Sequence, residues 1–230
     1  MIRLFGLLLL TSSTGWADET ACPSEATELH LEARAEQAIA NDTLHARLVI
    51  EREGEDAAVL AEEVNRLANA AMQAAKGQAA LRLVSGGYGT QPVYAPKTRA
   101  VERWRVRHEL LLSSKDFPAA MRFIARQQEV MALGGLTFAV SAEIRATAET
   151  RLMQEAVRNL QARAEALRQT LDQPKMHLRR VDLQPQGAPA LRPMMRAALA
   201  AEAEAVPPLE NGAGESTLAA HASGIACISR

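Results

Sequence analysis

The sequence has few cysteines and few aromatic residues, and its acidic and basic residues are almost balanced. Among 230 residues there are two cysteines, aromatic residues make up 3%, and the formal net charge is −1. Two cysteines are too few for a small scaffold that depends on many disulfides. A nucleic-acid-binding surface needs an excess of basic residues together with stacking aromatic rings. We therefore expect no nucleic-acid partner.

The sequence also lacks the motifs of common catalytic and cofactor sites. There is no Gly-x-Ser-x-Gly or Ser-x-x-Lys motif for acyl transfer. The glycines at residues 86–89 lack both the Lys-Ser/Thr of a phosphate-binding loop and the spacing of a dinucleotide-binding turn. No two histidines have a His-x-x-x-His spacing. We predict a protein without a cofactor, a resident metal or a catalytic site.

Only the N-terminus carries a continuous apolar run. Arg3 precedes an apolar stretch at residues 4–10, and Gly15-Trp16-Ala17 has the small-x-small pattern of a cleavage site. The run is too short to span a bilayer, and Cys22 stands too far from the cleavage site for a lipoprotein signal. The pattern predicts a signal peptide over residues 1–17, cleaved after Ala17, and a periplasmic mature chain over residues 18–230 without a transmembrane segment.

The rest of the composition is typical of a globular protein. Apolar residues make up 48% of the chain and charged residues 23%. From Leu136 to Arg145 apolar and polar residues alternate, which predicts a half-buried strand. The apolar period then changes to three or four, which predicts a long amphipathic helix capped by Thr147 and ended before Pro174. Its apolar stripe comprises Met153, Ala156, Leu160, Ala164, Leu167 and Leu171.

The other segments show either the two-residue period of a strand or the three-to-four-residue period of a helix. We predict two strands, residues 29–39 and 44–50, joined as an antiparallel hairpin at Asn41 and Asp42. Two helices should begin after the capping residues Asp56 and Asp116. The remaining predicted elements are a short strand at 79–84, a long exposed loop at 86–96, and strands at 104–112, 176–183 and 217–228. Residues 185–214, rich in Ala and Pro, should form a mobile insertion.

This order of elements predicts the fold class. Strand–helix–strand units occur twice in succession, which indicates an α+β fold with mainly antiparallel sheets. We expect a long amphipathic C-terminal helix to pack on a sheet.

Three groups of residues are candidates for chemistry. Tyr88, Pro92 and Tyr94 lie in the predicted loop, which suits contact with a protein or peptide; alternatively, the tyrosines fold back over a sheet edge. His108 shares the apolar parity of its strand, so a hydrogen-bonded core histidine is favoured over a metal ligand. Alternate residues of the same strand form a row of arginines, namely Arg103, Arg105 and Arg107. We favour a solvent-exposed face on which they pair with acidic residues over an anion-binding site.

Short markers in order along the chain resemble one protein family. They are the turn at Asn41-Asp42-Thr43, the spacing Tyr88-x-x-x-Pro92-x-Tyr94, and the strand Gly-Leu-Thr-Phe-Ala-Val-Ser at 135–141. Further markers are Asn65, Trp104, Asp116 and the Ala-rich helix over 151–171. Together they resemble the SIMPL-domain family of exported (periplasmic) bacterial proteins. The chain departs from the family pattern in having Asn41 for Pro and Asp172 for Gly.

The resemblance implies a periplasmic or secreted α+β domain with no established catalytic activity. It also implies a non-enzymatic binding or assembly role, since some members form oligomers and some are linked to stress tolerance. The expected partners are further copies of the chain or an envelope protein. The alternative is a hydrolytic or redox enzyme with a site near residues 86–96, which would need His108 beside a carboxylate in a cleft.

The two cysteines lie near the two ends of the mature chain. Export would place Cys22 and Cys227 in an oxidising compartment. If the last strand runs antiparallel beside the first, the two residues come within bridging distance. We predict a disulfide between them; the alternative is two unrelated thiols.

Overall fold

The structure is a computed structural model in which residues 22–23, 25–96, 100–186 and 212–230 are described. These contain seven strands and three helices: β1 (Thr27–Ala40), β2 (Thr43–Gly54), α1 (Ala57–Lys76), β3 (Arg82–Tyr94), β4 (Val101–Ser114), α2 (Phe117–Gln127), β5 (Ala132–Ala139), α3 (Ala142–Thr170), β6 (Lys175–Gln186) and β7 (Glu215–Ser229). The predicted signal peptide and residues 187–211 of the predicted insertion lie outside the described residues.

The strands form two antiparallel sheets, each with its own core. A four-stranded sheet has the order β3-β4-β2-β5, and a three-stranded sheet has the order β1-β7-β6. Helices α1 and α2 pack on the first sheet, and α3 packs on the second. Two separate clusters of buried apolar side chains result. We call these units the first and second lobes; the predicted α+β class with antiparallel sheets is confirmed.

The first lobe forms largely as its sequence pattern predicts. The Asp56 carboxylate accepts hydrogen bonds from the backbone N–H of Ala58 at 2.8 Å and Val59 at 3.2 Å, which caps α1. Asp116 caps α2 in the same way. One face of α1 then packs on the sheet through its buried residues Leu60, Val64, Ala68, Ala71 and Ala75. The predicted capping residues of both helices are therefore confirmed.

Helix α3 lies across the second lobe on a stripe of small and medium side chains. Its buried residues are Ala148, Leu152, Ala156, Leu160 and Ala164. They step by four throughout, so the stripe is inclined to the helix axis and suits a helix that crosses a twisted sheet. Leu167 and Leu171 are exposed, so the predicted stripe was right in its centre and wrong at its C-terminal end. The stripe includes Leu152 in place of Met153, which is only partly buried.

Gly224 of β7 lies beneath α3, where neighbouring atoms come too close for a larger residue. A Cβ atom on Gly224 of β7 would lie 2.5 Å from the carbonyl oxygen of Arg180 and 3.1 Å from a methyl group of Leu160. The ladder between β6 and β7 shifts register at this point, between Leu178 and Arg180. Gly224 therefore admits both the irregular strand β6 and the centre of α3.

The predicted hairpin between the first two strands is wrong. β1 pairs with β7, whereas β2 pairs with β4 and β5, so the chain changes sheets at Asn41 and Asp42. A tight hairpin of the usual type needs a residue with positive φ. Neither Asn41 nor Asp42 has one. The link is instead anchored by tertiary hydrogen bonds.

The predicted boundaries around residue 140 are also wrong. The strand β5 ends at Ala139 and the helix begins at Ala142, so Ile144 and Arg145 are helical. Thr147, the predicted N-cap, lies inside α3, where its hydroxyl donates to the carbonyl of Glu143 at 3.1 Å. Ser141 is the N-cap residue, and its backbone N–H donates to the Asp42 carboxylate at 2.6 Å. A distant carboxylate therefore takes part in setting the start of this helix.

The predicted long loop at 86–96 is a strand over most of its length. β3 begins at Arg82 instead of residue 79 and continues to Tyr94. Its partner β4 spans Val101–Ser114, and pairing along this length outweighs the turn preference of the glycines. Two irregularities in the ladder absorb the mismatch, one between Ser85 and Tyr88 and one between Val93 and Tyr94.

Asn41 and Asp42 form hydrogen bonds that connect the two lobes. Asn41 is buried; its side chain donates to the carbonyl of Ala213 at 2.7 Å and accepts from the Ser216 hydroxyl at 2.6 Å. Asp42 donates its backbone N–H to the carbonyl of Ala139. Burial raises the pKa of Asp42, but hydrogen bonds from Ser141, Thr43 and Lys115 outweigh it and lower that pKa below its ordinary value.

We expect Asn41→Ala to lower the free energy of unfolding by roughly 1–3 kcal/mol, because it leaves buried polar groups without partners. Urea denaturation followed by circular dichroism measures the loss. Gln37→Ala, at an exposed position of β1, is the matched control and should change little. Equal midpoints for the two variants would show that the junction does not depend on Asn41.

Candidate functional site

One of the two outer strands of the four-stranded sheet, β3, carries the predicted contact residues. Among the described residues, β3 pairs with β4 and with no other strand, so its other side is an edge of the sheet. Residues 83–94 of this strand include no charged side chain. Natural proteins usually protect such edges with charges, prolines or bulges, and this edge has Pro92 and a bulge at Gly86 and Gly87 but no charge. We call residues 83–94 the β3 edge.

All three predicted contact residues lie on the β3 edge. Tyr88 and Tyr94 expose 47% and 57% of their surface, and Pro92 pairs with Trp104 in the ladder. They lie on a strand instead of a loop; Tyr88 and Pro92 point to the same face, and a register shift separates Tyr94 from them. Both tyrosines are exposed on the edge strand itself, and contact with a protein or peptide through them stays a prediction.

A glycine bulge interrupts the edge. Gly86 and Gly87 stand opposite Glu109 where the register shifts. A Cβ on Gly86 would lie 3.1 Å from the carbonyl oxygen of Glu109 and 3.2 Å from Leu111, which is tighter than ordinary contact. The extra residue in the bulge shifts the alternation of β3 by one position. Ser85 therefore pairs with Leu110 before the bulge, and Tyr88 pairs with His108 after it.

His108 is a buried histidine of the first core, as predicted. Its Nε2 lies 2.8 Å from the hydroxyl oxygen of Ser85, and the Tyr88 ring meets its ring edge-on with centroids 5.2 Å apart. Its Nδ1 is buried and has no hydrogen-bond partner among the described residues. Burial lowers the pKa of His108, because the charged imidazolium would lose hydration.

This shift makes stability depend on pH. Because the pKa of His108 is lower in the folded chain than in the unfolded one, where it is about 6.5, the unfolded chain binds more protons between the two values. The free energy of unfolding should therefore fall as pH drops below about 6.5, until the folded-state pKa is passed. His108→Gln should show a flatter profile between pH 7 and 5. Parallel profiles in urea titrations would contradict the assignment.

The other face of β4 carries the predicted arginine row, and it is paired with acids as expected. The Arg105 Nε donates to Glu53 at 2.6 Å, and Arg107 contacts Glu109 at 2.8 Å. Arg103 lies 3.7 Å from Glu53. These side chains are partly exposed, so each pair contributes little to stability. Their positive charges are largely balanced, which removes the basis for an anion site.

A shallow cavity lies beside the arginine row, next to the glycines of β3. The cavity has a volume of about 460 Å³. Its lining consists of Glu51, Gly87, Tyr88, Gly89, Gln91, Arg105, Arg107 and Glu109. Neither Ser85 nor His108 lines it, so the buried histidine and the cavity do not form one site.

Within the part of the chain that the structure describes, there is no group of three or more His, Cys, Asp or Glu residues that could hold a metal ion. Over the same residues, none of the helices is both long enough and apolar enough to cross a membrane.

The two cysteines lie together at one end of the second lobe. β1 and β7 pair antiparallel, with Thr27 opposite Ile228 and Glu28 opposite Cys227. The Cα atoms of Cys22 and Cys227 are 5.7 Å apart, and their sulfur atoms are within bonding distance. The predicted strand pairing is confirmed, and the geometry fits the predicted disulfide.

These features define an α+β protein with two antiparallel sheets, a buried junction between them and a long uncharged edge strand. Residues 29–225 match the family model of SIMPL, described as a protein of unknown function (DUF541). The chain therefore belongs to the SIMPL family, as the markers in its sequence indicate. No curated protein matches the chain.

Proposed function

We propose that this chain is an exported periplasmic protein that acts by binding or assembly instead of catalysis. The observation that carries the proposal is the β3 edge, which presents Tyr88 and Tyr94 on a strand side that no other described strand covers. An extended segment that adds to such an edge gains main-chain hydrogen bonds, while side chains on the edge provide selectivity. Tyrosine is enriched at protein interfaces because it combines apolar area with a polar group. We propose that the role supports tolerance of envelope or oxidative stress.

Export is supported by both ends of the chain. The N-terminus has the pattern of a cleavable leader, and Cys22 lies at bonding distance from Cys227. Disulfides persist in oxidising compartments such as the periplasm. Fractionation followed by intact-mass measurement tests this point. The mature chain should begin at Asp18 and occur in the periplasmic fraction; an unprocessed chain in the cytoplasm would contradict export.

The binding role is tested with matched variants of the mature protein. Immobilised wild-type protein, the double variant Tyr88→Ala/Tyr94→Ala and the control Val59→Ala are each exposed to periplasmic extract. Val59 is a suitable control because it is 62% exposed and lies on α1, outside residues 83–94. We expect the same proteins on the wild type and the control, and their loss from the double variant. Equal retention by all three would contradict binding through the β3 edge.

The stress role needs a separate measurement in cells. A strain that lacks the protein should be more sensitive to detergent or peroxide than its parent, and the wild-type protein should restore growth. The double variant Tyr88→Ala/Tyr94→Ala should not restore it, whereas Val59→Ala should. Unchanged sensitivity of the deletion strain would contradict this part of the proposal.

One contact favours the alternative of a hydrolytic enzyme, namely the 2.8 Å distance between Ser85 and His108. A nucleophilic serine also needs a base held by a third group and a cleft for the substrate. Nδ1 of His108 has no such partner among the described residues, and the cavity nearby is lined by other residues. We expect no labelling of Ser85 by a fluorophosphonate probe; labelling abolished by His108→Gln would favour the enzyme.

A further inference from the structure

We infer that Cys22 and Cys227 form a thiol–disulfide exchange site, in which an external thiol attacks Cys22 and the Cys227 sulfur leaves beside His177 and Arg179. This site lies on the second lobe and does not depend on the proposed binding through the β3 edge. It follows from the exposure of the two cysteines, from their neighbours in the strand ladders and from the charges around Cys227.

Cys227 lies on the face of the three-stranded sheet opposite α3, here called the outer face. Ala220 and Ala222 of β7 belong to the core beneath α3. Side chains alternate between the two faces of a strand, so Cys227 points to the outer face. Its ladder neighbours are Glu28 on β1 and His177 on β6. Directly opposite residues share a face, with Cβ atoms about 4.5–5.5 Å apart, so a carboxylate and an imidazole flank the sulfur.

Arg179 brings a positive charge to the same place. It is the extra residue of β6 at the shift in its ladder with β7, and its Nη2 lies 3.9 Å from the Glu28 carboxylate. Since β7 lies between β6 and β1, the guanidinium crosses β7 beside Cys227 to reach that carboxylate. Glu28 also lies 3.1 Å from the Nε2 of His30, and Lys175 is a further cation on the outer face of β6. A single carboxylate is therefore outnumbered by basic groups around this sulfur.

These neighbours suit the chemistry of a sulfur that leaves as a thiolate. In thiol–disulfide exchange a thiolate attacks one sulfur of the bond, and the other sulfur carries away the electron pair. Arginine and protonated histidine nearby favour a thiolate over a thiol. An imidazole also exchanges protons near neutral pH, so His177 can give the departing Cys227 sulfur its proton.

Exposure selects Cys22 as the sulfur that is attacked. Cys227 is 1% exposed and lies within β7 between two other strands. Cys22 is partly exposed and precedes β1, which begins at Thr27, so it is not held in a strand ladder. An external thiol can therefore reach Cys22, whereas the neighbours of Cys227 shield its sulfur.

Electrons and protons balance over two steps. A thiolate RS⁻ bonds to the Cys22 sulfur, the bond to Cys227 breaks, and the Cys227 thiolate takes a proton from His177. A second RS⁻ attacks the sulfur of the bound R group, so RSSR is released and Cys22 becomes a thiolate. The pair thereby gains two electrons from two thiols or from one dithiol. The reverse steps, with an oxidised thiol as the oxidant, restore the bond.

The first test identifies the attacked sulfur. The oxidised mature protein is treated with reduced glutathione, and free thiols are blocked with N-ethylmaleimide before digestion and mass spectrometry. Glutathione should be found on Cys22 and the maleimide on Cys227. The urea-unfolded chain is the control, because both sulfurs are then exposed and glutathione should divide between them. The same division in the folded protein, glutathione mainly on Cys227, or no adduct in the folded protein would overturn the assignment.

The second test measures the effect of the two basic neighbours. The rate at which dithiothreitol reduces the bond at neutral pH should fall about threefold or more in His177→Gln and in Arg179→Gln. The controls His221→Gln and Arg180→Gln remove the same residue types from the same sheet, where each faces a different acid, and should keep the wild-type rate. The differences should disappear in urea, where the neighbours of Cys227 are lost. Equal rates for wild type and all variants in the folded state would overturn the role of these neighbours.

A pH profile separates this role from a purely structural one. The reduced protein is alkylated with iodoacetamide, which reacts with thiolates, over a range of pH. The midpoint for Cys227 should lie below the ordinary thiol pKa of about 8.5 and should move towards that value in His177→Gln and in Arg179→Gln. A wild-type midpoint at or above the ordinary value, or one that both variants leave unchanged, would overturn the site. Neither result would affect the capture of proteins by the β3 edge, which is tested separately.

Discussion

Leu160→Asp should lower the free energy of unfolding by about 3 kcal/mol or more. Leu160 is fully buried at the centre of the α3 stripe and lies beside Gly224 of β7. A carboxylate there loses hydration without gaining a partner, and the apolar contacts of the leucine are lost as well. Urea denaturation of the purified mature protein measures the change.

Arg158→Ala is the matched control on the same helix. Arg158 is exposed, so its removal should cost less than about 0.5 kcal/mol. If both variants unfold at the same urea concentration, the phase of α3 on its sheet is wrong. If Leu160→Asp unfolds only the second lobe, the two cores are less cooperative than their shared junction at Asn41 and Asp42 implies.

Loss of the bond between Cys22 and Cys227 should have the second largest effect. Their sequence separation is 205 residues, so the bond would close nearly the whole mature chain into a loop. The double variant Cys22→Ala/Cys227→Ala should be less stable than the oxidised wild type by roughly 2–5 kcal/mol, mainly because the unfolded chain gains freedom. The measurement is urea denaturation under non-reducing conditions.

Thiol titration provides the control for this prediction. The denatured, unreduced wild-type protein should show no free thiol and should run as a monomer when the bond is intramolecular. Reduction should bring the stability of the wild type down to that of the double variant. Two free thiols per chain would contradict the bond and leave the β1–β7 pairing to rest on its hydrogen bonds alone.

Local patterns in the sequence predict several elements correctly. The alternation on β4 and the cap residues Asp56 and Asp116 depend on neighbouring residues, which a single sequence shows directly. The pairing of β1 with β7 could also be predicted, because the positions of the two cysteines imply that the chain ends meet.

Tertiary interactions decide the elements that the sequence patterns misplace. The short link at Asn41 resembles a hairpin, but its side chain bonds to Ala213 and Ser216, residues distant in sequence. The start of α3 likewise depends on the distant carboxylate of Asp42. No pattern within a short window contains these contacts.

The candidate surface could be predicted in part. Tyr88, Pro92 and Tyr94 are visible as contact residues, but their glycine-rich surroundings indicate a loop. The long, clearly alternating strand that follows was the available signal, since a strand of that length requires a partner of similar length. The contact between Ser85 and His108 had no signal, because a bulge sets which residue faces the histidine.

The central claim is that the β3 edge is a contact surface in the periplasm. A photo-crosslinking amino acid is placed in cells at position 88, at position 94 or, as the control, at the exposed position 59 of α1. After irradiation, adducts of the mature chain should form from positions 88 and 94 and not from position 59. They should disappear when residues 1–17 are deleted and the chain stays in the cytoplasm. An absence of adducts from positions 88 and 94, or equal adducts from all three positions, would contradict the account.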